Sequence, residues 1–380
     1  MHKSRVRPLN GSDPSRRPSH IALAAVILRS RLLATKNLSC FPAAAPLPHA
    51  NLDPQFRYNR SVSNPPSQQM QCMEVWGGSQ LTARTVELGG LDAWVYSKPY
   101  QQAQRGGDVY YASSCATGRI TRLLLADVSG HGTTVAATAA DLRTLMRRFV
   151  NRLDQTEFVR QLNQEFVALS RTGSFATAIV GTFFAPTGRL ILSNAGHPRP
   201  LLYRAAERQW NFLGSGDPDA AAGPQNLPLG IVAITEYENF DIELADGDCL
   251  LAYTDALIES RDADGEMFGE EGLLRIARLL GDVRPDKMID TLLAEIADRY
   301  SDNLTDDDVT VLMVRANGKR PRVSFAAKAS AAFSLLGSLI RSINPRAERP
   351  PLPDANLANV GGAIIPALEQ RWRSPSSPRQ

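Results

Sequence analysis

Short hydrophobic segments rich in β-branched and aromatic residues recur along the middle of this chain, and they constrain its fold more than any other feature. Each segment is bounded by turn-forming residues, as strands are. Strands are predicted at residues 86–96, 108–112, 122–128, 175–184, 189–193, 240–244, 248–253 and 309–314. Hydrophobic residues spaced by three and four predict helices at residues 133–150, 158–170, 271–280 and 285–300. Strands that follow strands through short turns, with helices in groups, favour an α+β layered fold over a parallel doubly wound one.

Aspartates stand at the ends of several predicted strands. Asp108 follows two glycines and begins one strand, whereas Asp127 ends the next strand and leads into a glycine-flanked loop. Asp255 follows another hydrophobic segment, and Asp307 and Asp308 precede the last one. Hard divalent cations prefer carboxylate oxygens on backbone that can turn tightly. Separated acids at strand ends therefore predict one shared site for oxygen-ligated magnesium or manganese.

The loop after Asp127 reads Val128-Ser129-Gly130-His131-Gly132. It can offer the backbone carbonyl of Val128 to the same cation. His131 is open to two interpretations, as a general acid or metal ligand, or as a capping residue at the start of the next helix. His197 follows a strand and a tight turn, where it either stabilises the turn or supports the site. Neither GxxxxGK[ST] nor GxGxxG occurs here, so a phosphate-cradling nucleotide loop is not indicated.

Charge and cysteine content exclude several classes of function. Residues 61–318 contain 22 Lys and Arg against 34 Asp and Glu, a net charge of about minus twelve. We expect no nucleic-acid partner, because such binding depends on neutralising phosphates with Lys and Arg.

The four cysteines form no CxxC pair and lie near no histidine at zinc spacing, so neither a zinc site nor a disulfide framework is indicated. We expect reduced thiols and a cytoplasmic protein.

The two ends of the chain differ from its middle. Residues 1–80 are predicted to form a basic leader or linker, whose hydrophobic stretch at residues 21–28 is too short to span a bilayer. The leader is either disordered, the product of an upstream start codon, or a secretory or transit segment. The main domain is predicted over residues 81–316. The basic tail, residues 317–380, is predicted to contain an amphipathic helix at 325–343, followed by a Pro-rich linker. This helix is expected to pack on the domain or a dimer mate, or else to lie on a membrane surface.

Seven ordered motifs resemble the SpoIIE-type branch of the PPM superfamily, the metal-dependent serine/threonine protein phosphatases related to protein phosphatase 2C. They are GGDVYY from residue 106, LLLADVSGHG from 123, FATAIVGTF from 175, LILSNAGHPRPLLY from 190, LPLGI from 227, LADGDCLLAYTDALIES from 244 and DDDVTVLMVR from 306. Any one of these motifs could arise by chance, whereas seven in the same order do not. The resemblance implies an αββα sandwich of two antiparallel sheets flanked by helices.

The resemblance also implies a site with two Mn²⁺ or Mg²⁺ ions. Asp127 would bridge both ions, Asp108 and the Val128 carbonyl would complete one, and Asp255 and Asp307 would hold the other. Asp308 is the main alternative to Asp307 as this last ligand. Asp307 is preferred because residues 307–310 fit the D-[DN]-x-T pattern of the family, in which the ligand comes first. Two cations about 3.5–4 Å apart can ionise a shared water, and the resulting hydroxide attacks the phosphorus. His131 is then the candidate that donates a proton to the leaving group.

Two further positions are compared with the family pattern: Ala256, which departs from it, and Arg105, which is a candidate match. Ala256 replaces the usual glycine after the third aspartate, and it would strain the loop if that position required a positive φ. Arg105, three residues before Asp108, is a candidate for binding the substrate phosphate, as an arginine does in 2C-type relatives. The alternative is that Arg105 is a solvated turn residue.

Three functions follow as hypotheses. The first is an active phosphatase for phosphoserine and phosphothreonine on a regulatory protein, such as an anti-sigma factor antagonist in a partner-switching pathway. The second is a scaffold or binding module that keeps the fold but has a metal site impaired by Ala256. The third is a two-metal hydrolase of small phosphoesters or nucleotides.

Overall fold

A computed structural model describes residues 68–69, 75–114, 119–129, 133–149, 152, 154–169, 174–214, 226–281 and 283–319. Most of the expected leader and nearly all of the expected tail, including the helix predicted at 325–343, lie outside these residues, as does His131. The strands are β1 (Gln68–Gln69), β2 (Val75–Gly78), β3 (Thr82–Leu88), β4 (Leu91–Lys98), β5 (Asp108–Ser114), β6 (Ile120–Val128), β7 (Ala176–Phe184), β8 (Arg189–Ala195), β9 (Leu201–Arg204), β10 (Gln209–Phe212), β11 (Asn239–Glu243), β12 (Cys249–Tyr253) and β13 (Val309–Ala316). The helices are α1 (Thr133–Phe149), α2 (Gln155–Leu169), α3 (Ala256–Glu259), α4 (Gly269–Leu280) and α5 (Pro285–Ala297).

These strands form two sheets. The seven-stranded sheet has the order β1-β3-β4-β13-β12-β9-β10, and the six-stranded sheet has the order β11-β8-β7-β6-β5-β2. Neighbouring strands are antiparallel except for the short parallel pair β1–β3. Strands β5 to β8 follow one another in both sequence and space. Short connections join β5 to β6 and β7 to β8, as is common for antiparallel neighbours, whereas α1 and α2 lie between β6 and β7.

Three hydrophobic layers hold the two sheets and the helices together. Alternate residues of each strand face opposite sides, so Leu125 of β6 lies in the core between the sheets while Leu124 packs towards α1 and α2. In the other sheet, Leu312 of β13 faces the inter-sheet core and Met313 packs towards α4 and α5. Fully burying a Leu or Met side chain contributes about 1.5–3 kcal/mol. The result is the predicted αββα sandwich, and the fold class is confirmed.

Most predicted elements are present, with one clear correction. The single strand expected at residues 86–96 is a hairpin of β3 and β4, because Gly89 and Gly90 form a turn and Gly90 has a φ of 80°. Short strands β2, β9 and β10 were not predicted. Strand β2 pairs with β5 although it lies ahead of the domain start expected at residue 81. Among the described residues, no helix has the length and apolar character needed to cross a bilayer.

Candidate functional site

The first two candidate ligands lie side by side at one edge of the six-stranded sheet. Asp108 is the first residue of β5, and Asp127 is the last residue but one of the neighbouring antiparallel strand β6. The strand register places the two residues directly opposite each other. Opposed residues have Cβ atoms about 4.5–5.5 Å apart. Asp108 is on the same face of β5 as Tyr110, and Asp127 is on the same face of β6 as Leu125. Since Tyr110 and Leu125 lie in the core between the sheets, both carboxylates point towards the space between the sheets.

The remaining acids lie at the corresponding edge of the seven-stranded sheet. Strand β12 ends at Tyr253, and Asp255 immediately precedes the short helix α3. Strand β13 begins just after Asp307 and Asp308, and β12 and β13 are hydrogen-bonded neighbours. The fold therefore brings acids that are up to 200 residues apart in sequence to one end of the sandwich.

Thr254 connects the two halves of this end. Its hydroxyl donates a hydrogen bond of 2.9 Å to Oδ2 of Asp108, which belongs to the other sheet. The Thr254 hydroxyl oxygen also accepts a 2.9 Å hydrogen bond from the backbone N–H of Thr310, and the Thr254 N–H donates to the Thr310 carbonyl at 3.0 Å. Thr254, Thr310 and Asp108 are all buried. Thr254 was not predicted from the sequence, although its place between the buried strand β12 and Asp255 is a local signal for a supporting hydroxyl.

Asp307 and Asp308 have different surroundings. The Asp308 carboxylate accepts backbone N–H bonds from Tyr100 at 2.6 Å, Gly107 at 2.5 Å and Asp108 at 3.3 Å. Asp307 is exposed, and its Oδ1 accepts the N–H of Asp308 at 2.7 Å. A carboxylate that already accepts several amide bonds has less capacity for a cation. Asp308 thus holds the backbone at the start of β5, and Asp307 stays the predicted ligand.

Burial and mutual repulsion raise the pKa values of several of these acids. Burial, followed by repulsion from Asp127 and Asp308, raises the pKa of Asp108 well above its ordinary value. Burial also raises the pKa of Asp127, and the charged groups that add to the rise are all acidic: Asp255, Asp307, Asp308 and Glu259. Burial and repulsion from Asp255 and Asp307 raise the pKa of Glu259, an acid that the sequence analysis did not select. Such a cluster is unfavourable unless a cation or protons offset its charge.

The donor chemistry fits a hard divalent cation, because the converging groups are carboxylates and a backbone carbonyl. The positions of these side chains, by contrast, do not complete a metal site. Within the ranges that the structure describes, no three acidic, histidine or cysteine side chains approach closely enough to hold a metal ion. Like charges push carboxylates apart, and a bound cation removes that repulsion. The fold therefore brings the predicted ligands to one end of the sandwich, but their side chains do not form a complete coordination shell among the described residues.

The glycines before Asp108 allow the backbone to approach this site closely. A Cβ atom at Gly107 would lie 2.7 Å from Cγ1 of Val135 and 3.0 Å from the carbonyl oxygen of Val128. The Val128 carbonyl, the predicted backbone ligand, thus lies against the turn that positions Asp108. A side chain at residue 107 would displace one of the two.

The other predicted residues lie as follows. Arg105 is exposed and lines a small surface depression with Gln80 and Arg143. His131 is outside the described residues. His197 is buried; its Nδ1 lies 2.8 Å from the Thr177 hydroxyl, and Asn194 bonds to both its N–H and its carbonyl. The Asn194 side chain therefore stabilises the turn through the His197 backbone, whereas the His197 imidazole contacts Thr177, the residue of β7 that pairs with Asp127.

Ala256 does not carry the strain that a positive φ would impose. The described non-glycine residues with positive φ are Gln101, Arg208, Asn226 and Leu304. Ala256 instead begins helix α3, preceded by Asp255 at φ −63° and ψ −23°. Alanine is compatible with this position, because helical backbone suits it well.

Comparisons with known proteins agree with this architecture. A family model described as Stage II sporulation protein E (SpoIIE) matches residues 117–317, just over half of the chain. A structure of the RsbU and RsbW domains of Rv1364c from Mycobacterium tuberculosis is 24% identical, with a TM-score of 0.52 over 69% of this chain and 71% of that chain. A structure of the PP2C phosphatase domain and a fragment of the regulatory domain of SpoIIE from Bacillus subtilis is 16% identical, with a TM-score of 0.50 over 64% and 71%. These two similarities show the shared fold.

Proposed function

This chain belongs to the SpoIIE family, and from that premise we propose that it is a metal-dependent protein phosphatase acting on phosphoserine and phosphothreonine. The family and the PP2C-type fold support phosphatase chemistry in general. The reaction, its ligands and its substrate class are our proposal.

One observation carries the proposal. Asp108 and Asp127 face each other across neighbouring strands, both pKa values are raised, and the charged groups acting on Asp127 are themselves carboxylates. A folded protein retains such a cluster at a cost in stability, because the negative charges repel and are desolvated. A site that binds cations explains this cost, since bound cations offset the charge.

Each ligand has a defined place in the proposed site. Asp127 would contact both cations, Asp108 and the Val128 carbonyl would complete one coordination shell, and Asp255 and Asp307 would contribute to the other. When bound, two divalent cations would supply a water of lowered pKa and offset charge on the phosphoryl oxygens. Thr254 fixes Asp108 through its 2.9 Å hydrogen bond, so that the carboxylate keeps one orientation.

Two further residues are proposed to act on the substrate. Arg105 would bind the phosphate from the exposed loop before Asp108, because a guanidinium matches phosphate oxygens in geometry and charge. His131 would donate a proton to the serine or threonine oxygen as it leaves.

The proposed substrate is a phosphorylated regulatory protein. An anti-sigma factor antagonist in a partner-switching pathway is the specific candidate, and it rests on the family resemblance. The acidic middle of the chain, with a net charge of about minus twelve, disfavours a nucleic-acid substrate.

Phosphate release is the experiment that tests this function. The full-length chain is incubated with a phosphoserine protein or with a small aryl phosphate, each with Mn²⁺ or with EDTA. We expect Mn²⁺-dependent release from the phosphoprotein. Preference for the small ester would instead support a general phosphoesterase.

The scaffold hypothesis makes a different prediction in the same assay. It expects binding of Mn²⁺ or of a partner protein without release of phosphate from either substrate. Its specific rationale was strain at Ala256, and the helical conformation of this residue removes that rationale.

A further inference from the structure

The loop between β4 and β5 connects the two sheets; it contains the candidate phosphate-binding residue and leads directly into a candidate ligand. It runs from residue 99 to residue 107, with Arg105 inside it and Asp108 at its end. The placement of these two groups therefore depends on how the loop is held.

The Asp308 carboxylate contacts both ends of this loop. Its Oδ1 accepts the N–H of Tyr100 at 2.6 Å, where the loop begins. Its Oδ2 accepts the N–H of Gly107 at 2.5 Å and that of Asp108 at 3.3 Å, where the loop ends. One side chain thus closes a loop of nine residues by accepting hydrogen bonds from backbone amides at both ends. Hydrogen bonds from amides to carboxylates are among the stronger ones in proteins.

The glycine before this turn provides an independent sign of the same contact. A Cβ atom at Gly106 would lie 2.5 Å from the carboxyl carbon of Asp308. Real Cβ atoms do not approach other atoms so closely, so the backbone reaches Asp308 only because residue 106 has no side chain.

The loop also contains an unfavourable backbone conformation. Gln101 has φ 50° and ψ 28°, in the left-handed region that non-glycine residues seldom adopt. Such a residue persists only where surrounding contacts impose its conformation. It directly follows Tyr100, whose N–H is bound by Asp308.

We propose that Asp308 is a positioning residue that fixes this loop and thereby sets Asp108 and Arg105 in place for the cations and the phosphate. Its effect on cation binding rests on the proposed function, whereas its effect on loop order does not. Asp307 and Asp308, although adjacent, then have separate roles: Asp307 as a cation ligand and Asp308 as the acceptor that orders the loop.

The test compares three single substitutions in the full-length chain, Asp308→Asn, Asp307→Asn and Asp306→Asn. Each removes one negative charge from the same segment, and Asp306→Asn is the matched control on an exposed position. The first measurement is amide hydrogen exchange across residues 99–108 in EDTA. We expect exchange about tenfold faster in Asp308→Asn and wild-type exchange in the other two variants.

The second measurement is Mn²⁺ affinity by calorimetry, together with kcat as a function of Mn²⁺ concentration. Asp308→Asn should bind Mn²⁺ about tenfold to a hundredfold more weakly yet recover most of its kcat at saturating Mn²⁺. Asp307→Asn should lose affinity without that recovery. A purely structural role for Asp308 would reduce the folded fraction without changing the Mn²⁺ affinity of the folded protein.

A second variant addresses the same contact without altering any acid. Tyr100→Pro removes the N–H that donates to Oδ1, and Pro99 already has the ψ of 145° that suits a residue before proline. Tyr100→Ala is its control, since it keeps the N–H. Faster exchange at the loop in Tyr100→Pro alone would support the proposal even if Asp308→Asn does not fold.

Wild-type exchange of residues 99–108 in both Asp308→Asn and Tyr100→Pro would overturn the proposal, and so would an unchanged Mn²⁺ affinity in Asp308→Asn. If the wild-type chain binds no Mn²⁺ and releases no phosphate, the proposed function fails. The exchange result would still decide whether Asp308 orders the loop.

Discussion

The hydroxyl of Thr254 donates a 2.9 Å hydrogen bond to Oδ2 of Asp108 and so joins the two sheets at the acidic end of the sandwich. Thr254 follows β12, whereas Asp108 begins β5. The bond is buried, and its acceptor is a carboxylate whose pKa is raised mainly by burial. The Thr254 hydroxyl therefore joins the two halves of the candidate site, together with the Asp308 carboxylate that accepts the N–H groups of Gly107 and Asp108.

Removing this hydroxyl should destabilise the fold. Thr254→Val leaves the Thr310 N–H and one Asp108 oxygen without their buried partner, which costs about 1–3 kcal/mol in the free energy of unfolding. Thr254→Ser keeps the hydroxyl and is the control. Urea denaturation measures both variants, and equal stability of Thr254→Val and wild type would show that the bond contributes nothing.

The close approach of Gly106 to Asp308 predicts an energetic coupling between the two positions. Gly106→Ala should lower the free energy of unfolding by about 1–3 kcal/mol, because its Cβ would overlap the carboxyl group. In an Asp308→Ala background the overlap disappears, and most of that cost should disappear with it. A double-mutant cycle in urea measures the coupling, and strictly additive effects would contradict the contact.

Local sequence patterns were sufficient to predict the central strands and the longer helices. Strands such as β6 and β13 combine nearly continuous hydrophobic character with β-branched residues, because both of their faces are buried. The hairpin of β3 and β4 was missed because only two residues separate two similar segments, and β10 because QWNF is short and half polar. Elements with few buried residues leave a weak pattern.

The ligands could be selected from sequence more readily than their supports. Asp108, Asp127, Asp255 and Asp307 stand out because each interrupts or borders an apolar run. The partners of Asp308 and Thr254 lie about 200 and 146 positions away along the chain, so no local pattern reveals them. The pairing of strands creates these contacts, and single-sequence periodicity does not encode pairing.

The raised pKa of Asp127 predicts how metal-free stability depends on pH. The folded state retains a proton that the unfolded state releases above the ordinary pKa of 3.8, so stability falls as pH rises from that value through the folded pKa. In EDTA at neutral pH, Asp127→Asn should therefore be more stable than the wild type, and the difference should shrink as pH falls towards 3.8. Denaturant unfolding over that range measures it, with the exposed Asp306→Asn as the charge control. A wild type that is more stable than Asp127→Asn at neutral pH in EDTA would contradict the proposed repulsion.

His131 has a role that leaving-group chemistry can test. A serine alkoxide needs protonation as it leaves, whereas an aryl oxide needs it much less. His131→Ala should therefore lower kcat/KM for an alkyl phosphoester more than for an aryl one. The measurement is the ratio of kcat/KM for the two esters in wild type and variant, and equal slowing of both would argue against a proton-donating role.

The central claim is that carboxylates from both sheets jointly bind divalent cations, and calorimetric titration of Mn²⁺ into the full-length chain and into Asp127→Asn tests it most directly. The wild type should bind two Mn²⁺ ions, and Asp127→Asn should fold but lose binding at both, because Asp127 is expected to contact each ion. No Mn²⁺ uptake by the wild type, or identical uptake by Asp127→Asn, would contradict the account.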